Sequence, residues 1–162
     1  MVNSKSVRPL GAEQRLQDLE LTLPPAQTPY GAYVETVQTG NLLFLTGMLP
    51  VVGRELKFVG RVGAELTVEE GRKAAYAACL TALAVAKEHL GSLDRVSRVV
   101  RLGVFIATAG NFREHPKLAD AASELLESVF GKDKTSTRIV LGIASLPLGA
   151  PVELELIFEV TS

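Results

Sequence analysis

Arg138 is the side chain of this 162-residue sequence whose position most suggests chemistry, a permanent cation opening the apolar run Arg138 to Ala144. A guanidinium offers a planar fork that meets a carboxylate at two points, which lysine does not reproduce. Downstream, Glu153, Glu155 and Glu159 alternate with Val152, Leu154, Leu156, Phe158 and Val160, the pattern of a half-buried antiparallel strand. A carboxylate on such a strand can take and return a proton. The same alternation also describes a plain solvated strand face, and Arg138 could simply pair across the sheet with Glu159. Pro147, Gly149 and Pro151 separate the two runs and predict a turn. A hairpin centred near Leu148 sets Glu153 opposite position 143, about 16 Å from Arg138 at ~3.3 Å per residue. One chain would not join the two groups, so a site using both needs two copies.

The remaining reactive residue types are less suggestive. Cys79 sits mid-helix among alanines and reads as a small buried side chain. As the single cysteine it forms no bridge within the chain, which suits a reducing cytoplasm. His89 falls at the end of the same helix, His115 precedes Pro116, and neither has metal-ligand spacing, so no metal is expected. Arg95, Arg98 and Arg101 form a basic cluster. Regular strand alternation would turn Arg98 away from the other two, and with a net charge of −1 no nucleic-acid partner is expected. The glycines form neither a dinucleotide fingerprint nor a phosphate loop, so no nucleotide cofactor is implied. No apolar run approaches the ~20 residues of a membrane span, and residues 1–10 lack a signal-peptide core. A soluble, cytoplasmic protein is expected.

The elements that must position these groups follow from periodicity. Gly11 to Leu21 predicts a short amphipathic helix with Ala12, Leu16 and Leu19 on one side, after a loose tail over residues 1–10. Pro24 to Gly31 reads as an extended connector. Tyr33 to Gln38 and Leu42 to Thr46 predict a hairpin around Gly40 and Asn41. Val51 to Gly63 reads as loop with one short strand near Leu56 to Val59. Thr67-Val68-Glu69-Glu70 has the capping-box form and opens a long alanine-rich helix that Gly91 ends. The many alanines imply a closely packed neighbour. Val96 to Thr108 predicts a strand and Asn111 to Phe130 a second long helix. The order, helix-β-β-helix-β-helix-β-β, argues an α+β sandwich with helices grouped on one face of a sheet. With 47% hydrophobic residues and fourteen glycines besides, the apolar share exceeds that of an ordinary domain, which favours protomers that bury surface against each other.

Three patches carry a family likeness. They are Gly31-Ala32-Tyr33 with Thr39-Gly40-Asn41-Leu42-Leu43-Phe44-Leu45-Thr46-Gly47-Met48-Leu49-Pro50, then Leu93-Asp94-Arg95-Val96 with Val104-Phe105-Ile106, then Arg138 with Leu146-Pro147 and Val152-Glu153-Leu154-Glu155. Over roughly residues 25–160 the chain resembles the RidA/YjgF family, the reactive intermediate deaminases also labelled L-PSP endoribonucleases. That resemblance implies a chorismate mutase-like fold over residues 25–162, preceded by an N-terminal tail and helix over residues 1–24, and a homotrimer with clefts between protomers. It implies a deaminase that hydrolyses 2-imino or 2-enamino acids to 2-keto acids and ammonia without cofactor. Arg138 would grip the substrate carboxylate and Glu153 would activate water, with Tyr33, Thr46 and Gly47 lining the pocket. The family's Ser-Gly-Gln is Thr46-Gly47-Met48 here, its cysteine after the arginine is Val140, and its pocket asparagine falls near Asp120. The alternative on the same fold is a non-catalytic protein that binds a small carboxylate such as a 2-keto acid.

Overall fold

The computed structural model describes residues 9–162, so the tail expected over residues 1–10 lies almost wholly outside the described residues. Helix α1 (Ala12–Asp18) buries Ala12 and Leu16. It is shorter than the periodicity suggested, because the chain turns at Leu19 and Glu20, the latter at φ 53°, leaving Leu19 exposed. The connector to residue 35 has no regular structure. Strands β1 (Thr36–Thr39) and β2 (Leu42–Leu45) form the expected hairpin, with Gly40 at φ 57° in its two-residue turn. The next segment holds two short strands rather than one, β3 (Val51–Val52) paired with β4 (Glu55–Leu56).

Helix α2 (Val68–Leu90) starts as anticipated. The Thr67 hydroxyl accepts from the Glu70 amide while the Glu70 carboxylate accepts from the Thr67 amide, so two orphan donors are satisfied reciprocally. Gly91, at φ 77°, caps its far end. Strand β5 (Val96–Ala107) follows, then α3 (His115–Phe130), β6 (Thr137–Ile143) and β7 (Val152–Val160). Helix α3 is four residues shorter than expected at its start, with Pro116 in the first turn, where its missing N–H costs nothing.

The sheet order β1-β2-β7-β5-β6 corrects one expectation. β6 and β7 are not a hairpin: β5 lies between them, parallel to β6 and antiparallel to β7. β6 is thus an edge strand, and its apolar Ile139 and Leu141 stay exposed instead of buried. The helices cover one face, where Leu43, Leu102, Val104, Ile106, Leu154, Leu156 and Phe158 pack under α2 and α3. β5 carries two bulges, between Val96 and Arg98 and between Val99 and Arg101. Each extra residue restarts the alternation, so Val99 is buried and Val100 is not. The bulges also leave Arg98 and Arg101 on the same, open face, contrary to simple alternation.

The α2 alanines meet both α3 and the sheet, and Gly71 marks the closest approach. A Cβ there would lie 2.4 Å from Leu118 Cδ2 and 3.0 Å from Val62 Cγ2, both fully buried. Gly71→Ala gains about 1 kcal/mol of helix propensity, but overpacking a core costs about 1–3 kcal/mol. The expected net is a loss on the order of 1 kcal/mol in urea unfolding; a stabilised variant would show that this crossing can relax.

Candidate active site

Glu153 is the best candidate for acid-base work because of what its neighbours do to it. On β7 it points away from the helices, opposite Phe105. Beyond the end of β2 the chain rejoins β7: the Met48 amide donates to the Leu154 carbonyl at 2.8 Å and the Leu154 amide to the Met48 carbonyl at 2.9 Å. This draws Gly47 across the Glu153 carboxyl, where a Cβ would lie 1.9 Å from Glu153 Oε1. Any larger residue at position 47 would push the Glu153 carboxyl out of this place. Desolvation pushes the Glu153 carboxyl up from the usual range, and among the described residues nothing pairs or hydrogen-bonds with it.

A second polar residue, which sequence reasoning passed over, holds this arrangement. Gln27 is 4% exposed. Its Nε2 donates to Glu35 Oε2 at 3.1 Å and to the Gly47 carbonyl at 3.3 Å, while its Oε1 accepts from the Leu49 amide at 3.3 Å. Both sides of the 47–49 segment are therefore anchored by one amide. Burial also pushes the Glu35 carboxyl up, against the Gln27 hydrogen bond that lowers it. The signal in the sequence was thin, a glutamine in a proline-rich connector.

Glu153 borders a cavity of about 360 Å³ together with Gln27, Tyr33, Thr46 and Gly47, and with an apolar wall of Tyr30, Gly31, Leu49, Pro147 and Leu148. Three of the expected pocket residues, Tyr33, Thr46 and Gly47, thus meet at Glu153. The wall residues Tyr30, Leu49 and Leu148 were not foreseen. The Tyr33 hydroxyl accepts from the Tyr30 amide at 2.9 Å, which orders the loop over the cavity.

Arg138 is not there. Registered with Leu102, it lies on the helix-covered face of the edge strand, where its Nη1 donates to Asp120 Oδ1 at 2.8 Å and to Ser123 Oγ at 3.1 Å. A hollow of about 190 Å³ bordered by Ser123, Leu126, Thr135 and Ser136 lies beside it. The pairing with Glu159 does not form, because β5 lies between β6 and β7, the two side chains face opposite sides of the sheet, and Glu159 accepts from Asn41 Nδ2 at 3.0 Å. Asp120 joins Arg138 rather than the Glu153 cavity, and Val140 packs half-buried against the core, outside that cavity. Within one chain Arg138 and Glu153 sit on opposite faces and two strands apart, so a single copy does not unite them. The reason is the inserted strand, not the hairpin first inferred.

The other reactive residues are structural. Cys79 is fully buried and desolvation pushes its thiol up to about 12, which makes it a poor nucleophile. His89 contacts Thr36 Oγ1 at 3.2 Å and Gln38 Oε1 at 3.0 Å, tying α2 to β1. Arg95 caps α2 by donating to the Leu90 carbonyl at 2.9 Å. Among the described residues no group of His, Cys, Asp or Glu could hold a metal ion, and no helix is long and apolar enough to cross a membrane.

Comparison with known proteins gives a consistent picture. A family model described as "YjgF/chorismate mutase-like, putative endoribonuclease" matches residues 13–160. The chain is 40% identical over 148 residues to Protein TCP17 of Trypanosoma cruzi, covering 91% of this chain and 92% of that protein. It is 30% identical over 135 residues to a 2-iminobutanoate/2-iminopropanoate deaminase of Dermatophagoides farinae, covering 83% and 91%. Among solved structures, an endoribonuclease-like protein of Shewanella oneidensis superposes with a TM-score of 0.89 at 31% identity, over 93% of this chain and all of that one.

The raised carboxyl has a consequence for stability. A folded-state pKa above the unfolded value of 4.5 means that the folded protein binds the proton more tightly, so stability falls as pH rises through that window and stays lower above it. Glu153→Gln removes the cost of ionising a desolvated group. Its unfolding midpoint is expected above that of the parent at pH 8, with the difference shrinking toward pH 4. A variant less stable than the parent at pH 8 contradicts this account.

Proposed function

The chain belongs to the RidA/YjgF family, and from that premise we propose that it is an imine and enamine deaminase, working in clefts between protomers of a homotrimer. It would hydrolyse 2-imino or 2-enamino acids to 2-keto acids and ammonia. The observation that carries this reading is Glu153, a desolvated carboxyl without a partner among the described residues, at the edge of a cavity large enough for a small organic acid. A carboxyl raised toward the working pH is suited to taking and returning a proton. The relative named as a 2-iminobutanoate/2-iminopropanoate deaminase supports the same reaction class.

An imine carbon is already electrophilic, so catalysis needs orientation, one placed water and one proton carrier. Glu153 takes a proton from the water as its oxygen bonds to the imine carbon. The proton then returns to nitrogen to give a carbinolamine, after which Glu153 takes the carbinolamine hydroxyl proton and passes it to the same nitrogen, so that the carbonyl forms as the C–N bond breaks and ammonia leaves a 2-keto acid. No cofactor enters this scheme. The substrate carboxylate goes to Arg138 of the neighbouring protomer. Asp120 and Ser123 engage only Nη1 of that guanidinium, which leaves Nε and Nη2 as a fork for a carboxylate. The exposed Phe44, Ile139 and Leu141 supply apolar surface that an assembly would bury. The single buried thiol suits a cytoplasmic setting.

The same fold acting only as a 2-keto acid sensor would share Arg138 and have no use for Glu153. Generating 2-iminobutanoate in the assay and following ammonia separates the two. Glu153→Gln is expected to lower turnover by about 10²–10⁴-fold while 2-keto acid binding persists; an unchanged rate rejects the hydrolytic role. Mixing the inactive variants Arg138→Ala and Glu153→Ala and allowing protomers to exchange should restore about a quarter of the sites, since in a closed ring half the neighbours on each side are competent. No recovery would mean that the two groups do not share a cleft.

A further inference from the structure

Resting on the deaminase reading, we propose that the preferred substrates are imino acids with a bulky apolar side chain, branched aliphatic or aromatic, and that Leu148 sets this preference. Away from Glu153, Thr46 and the Tyr33 hydroxyl, the wall of the cavity is apolar, and the other polar atoms beside it are engaged elsewhere. The Tyr30 hydroxyl donates to the Arg54 carbonyl at 3.2 Å, and the Arg54 guanidinium lies 4.9 Å from the Tyr30 ring centroid. The Tyr33 oxygen is engaged by the Tyr30 amide, and the Gln27 amide by Glu35, Gly47 and Leu49. What remains for a substrate side chain is the body of Tyr30 with Leu49, Pro147 and Leu148. A polar side chain would lose its water there without a partner in return, whereas an apolar one gains with each carbon it buries.

The wall is also fixed in place. Leu49 belongs to a small separate core with Val51 and Ala150, against which Tyr30 packs. The Pro147–Gly149 turn is closed by the Gly149 amide on the Leu146 carbonyl at 3.2 Å and the Ala150 amide on the Pro147 carbonyl at 3.1 Å. The Gly60 amide anchors it through the Gly149 carbonyl at 2.9 Å. Inside that turn Leu148 adopts φ 60° and ψ 11°, a left-handed conformation that glycine or asparagine takes far more readily. Its side chain is 58% exposed, so burial in the core does not account for leucine at this strained position. Its place on the cavity lining does.

The test generates imino acids in situ with an amino-acid oxidase from leucine, phenylalanine and 2-aminobutyrate, and measures kcat/KM by competition with semicarbazide. The parent protein is expected to favour the leucine- and phenylalanine-derived imines over 2-iminobutanoate by at least about 10-fold, since each methylene in an apolar pocket discriminates by roughly 10–200-fold. Leu148→Gly relieves the backbone strain while removing the side chain, so it should fold at least as well and reduce that ratio by about 10-fold. Leu148→Asn, also tolerant of the left-handed region, should do the same and serves where glycine loosens the turn. Preference for 2-iminobutanoate, or a ratio that neither variant moves, overturns the assignment while leaving the deaminase reading intact. Absence of turnover on every imine overturns both.

Discussion

The candidate site depends on the contact between the Gly47 backbone and the Glu153 carboxyl. Strand β7 carries three outward glutamates in the same alternation, and their surroundings differ completely. Glu155 faces Arg101 Nε at 3.5 Å and Glu159 accepts from Asn41, while Glu153 is covered by backbone that offers it no partner. Burying a carboxyl in this way costs stability, and it persists because the Met48–Leu154 ladder bonds and the Gln27 amide fix the covering segment from both sides. The outcome is a desolvated carboxyl whose environment is set largely by main chain.

Arg138 is held by a different device. The insertion of β5 between β6 and β7 places the arginine at the sheet edge, two strands from Glu153 and on the other face. Asp120 and Ser123 from α3 then orient the guanidinium without saturating it. An exposed ion pair of this kind adds little stability, typically about 0–1 kcal/mol, so its role lies in orientation. An arginine tethered at one nitrogen keeps its remaining donors in a defined orientation.

What was legible in the sequence, and what was not, divides along the range of the interactions. The Thr67–Glu70 capping box, Gly91, the β1–β2 turn and the Val152–Val160 alternation depend on residues a few positions apart, and each appears as expected. The fold class followed from element order, and the pocket residues Tyr33, Thr46 and Gly47 from family likeness. Strand order was not legible, because Pro147 and Gly149 mark a reversal without stating whether the chain returns beside the strand it left. The two β5 bulges were equally hidden. An extra residue has no fixed signature, and each one inverted the facing assigned to the residues before it. Gln27 and Leu148 were missed because their importance lies in contacts made 20 residues or more away and in a backbone angle, neither of which a pattern of residue types encodes.

On the proposed assembly, the high apolar share of the composition and the separation of Arg138 from Glu153 have a common explanation. The exposed apolar side chains of the sheet, Val37, Phe44, Ile139 and Leu141, lie away from the helices. They lie on the same face as Glu153: Leu141, Phe105 and Glu153 form one row across β6, β5 and β7, and Val37, Phe44 and Ile157 another. An edge strand as long and apolar as β6 also leaves main-chain groups open to pairing. Any partner that covers this face to remove apolar surface from water necessarily approaches Glu153 as well. On the proposed assembly, therefore, the free energy that holds the protomers together also excludes water from the carboxyl and supplies the cation it lacks. Association and completion of the site become one event, driven mainly by burial of the open sheet face.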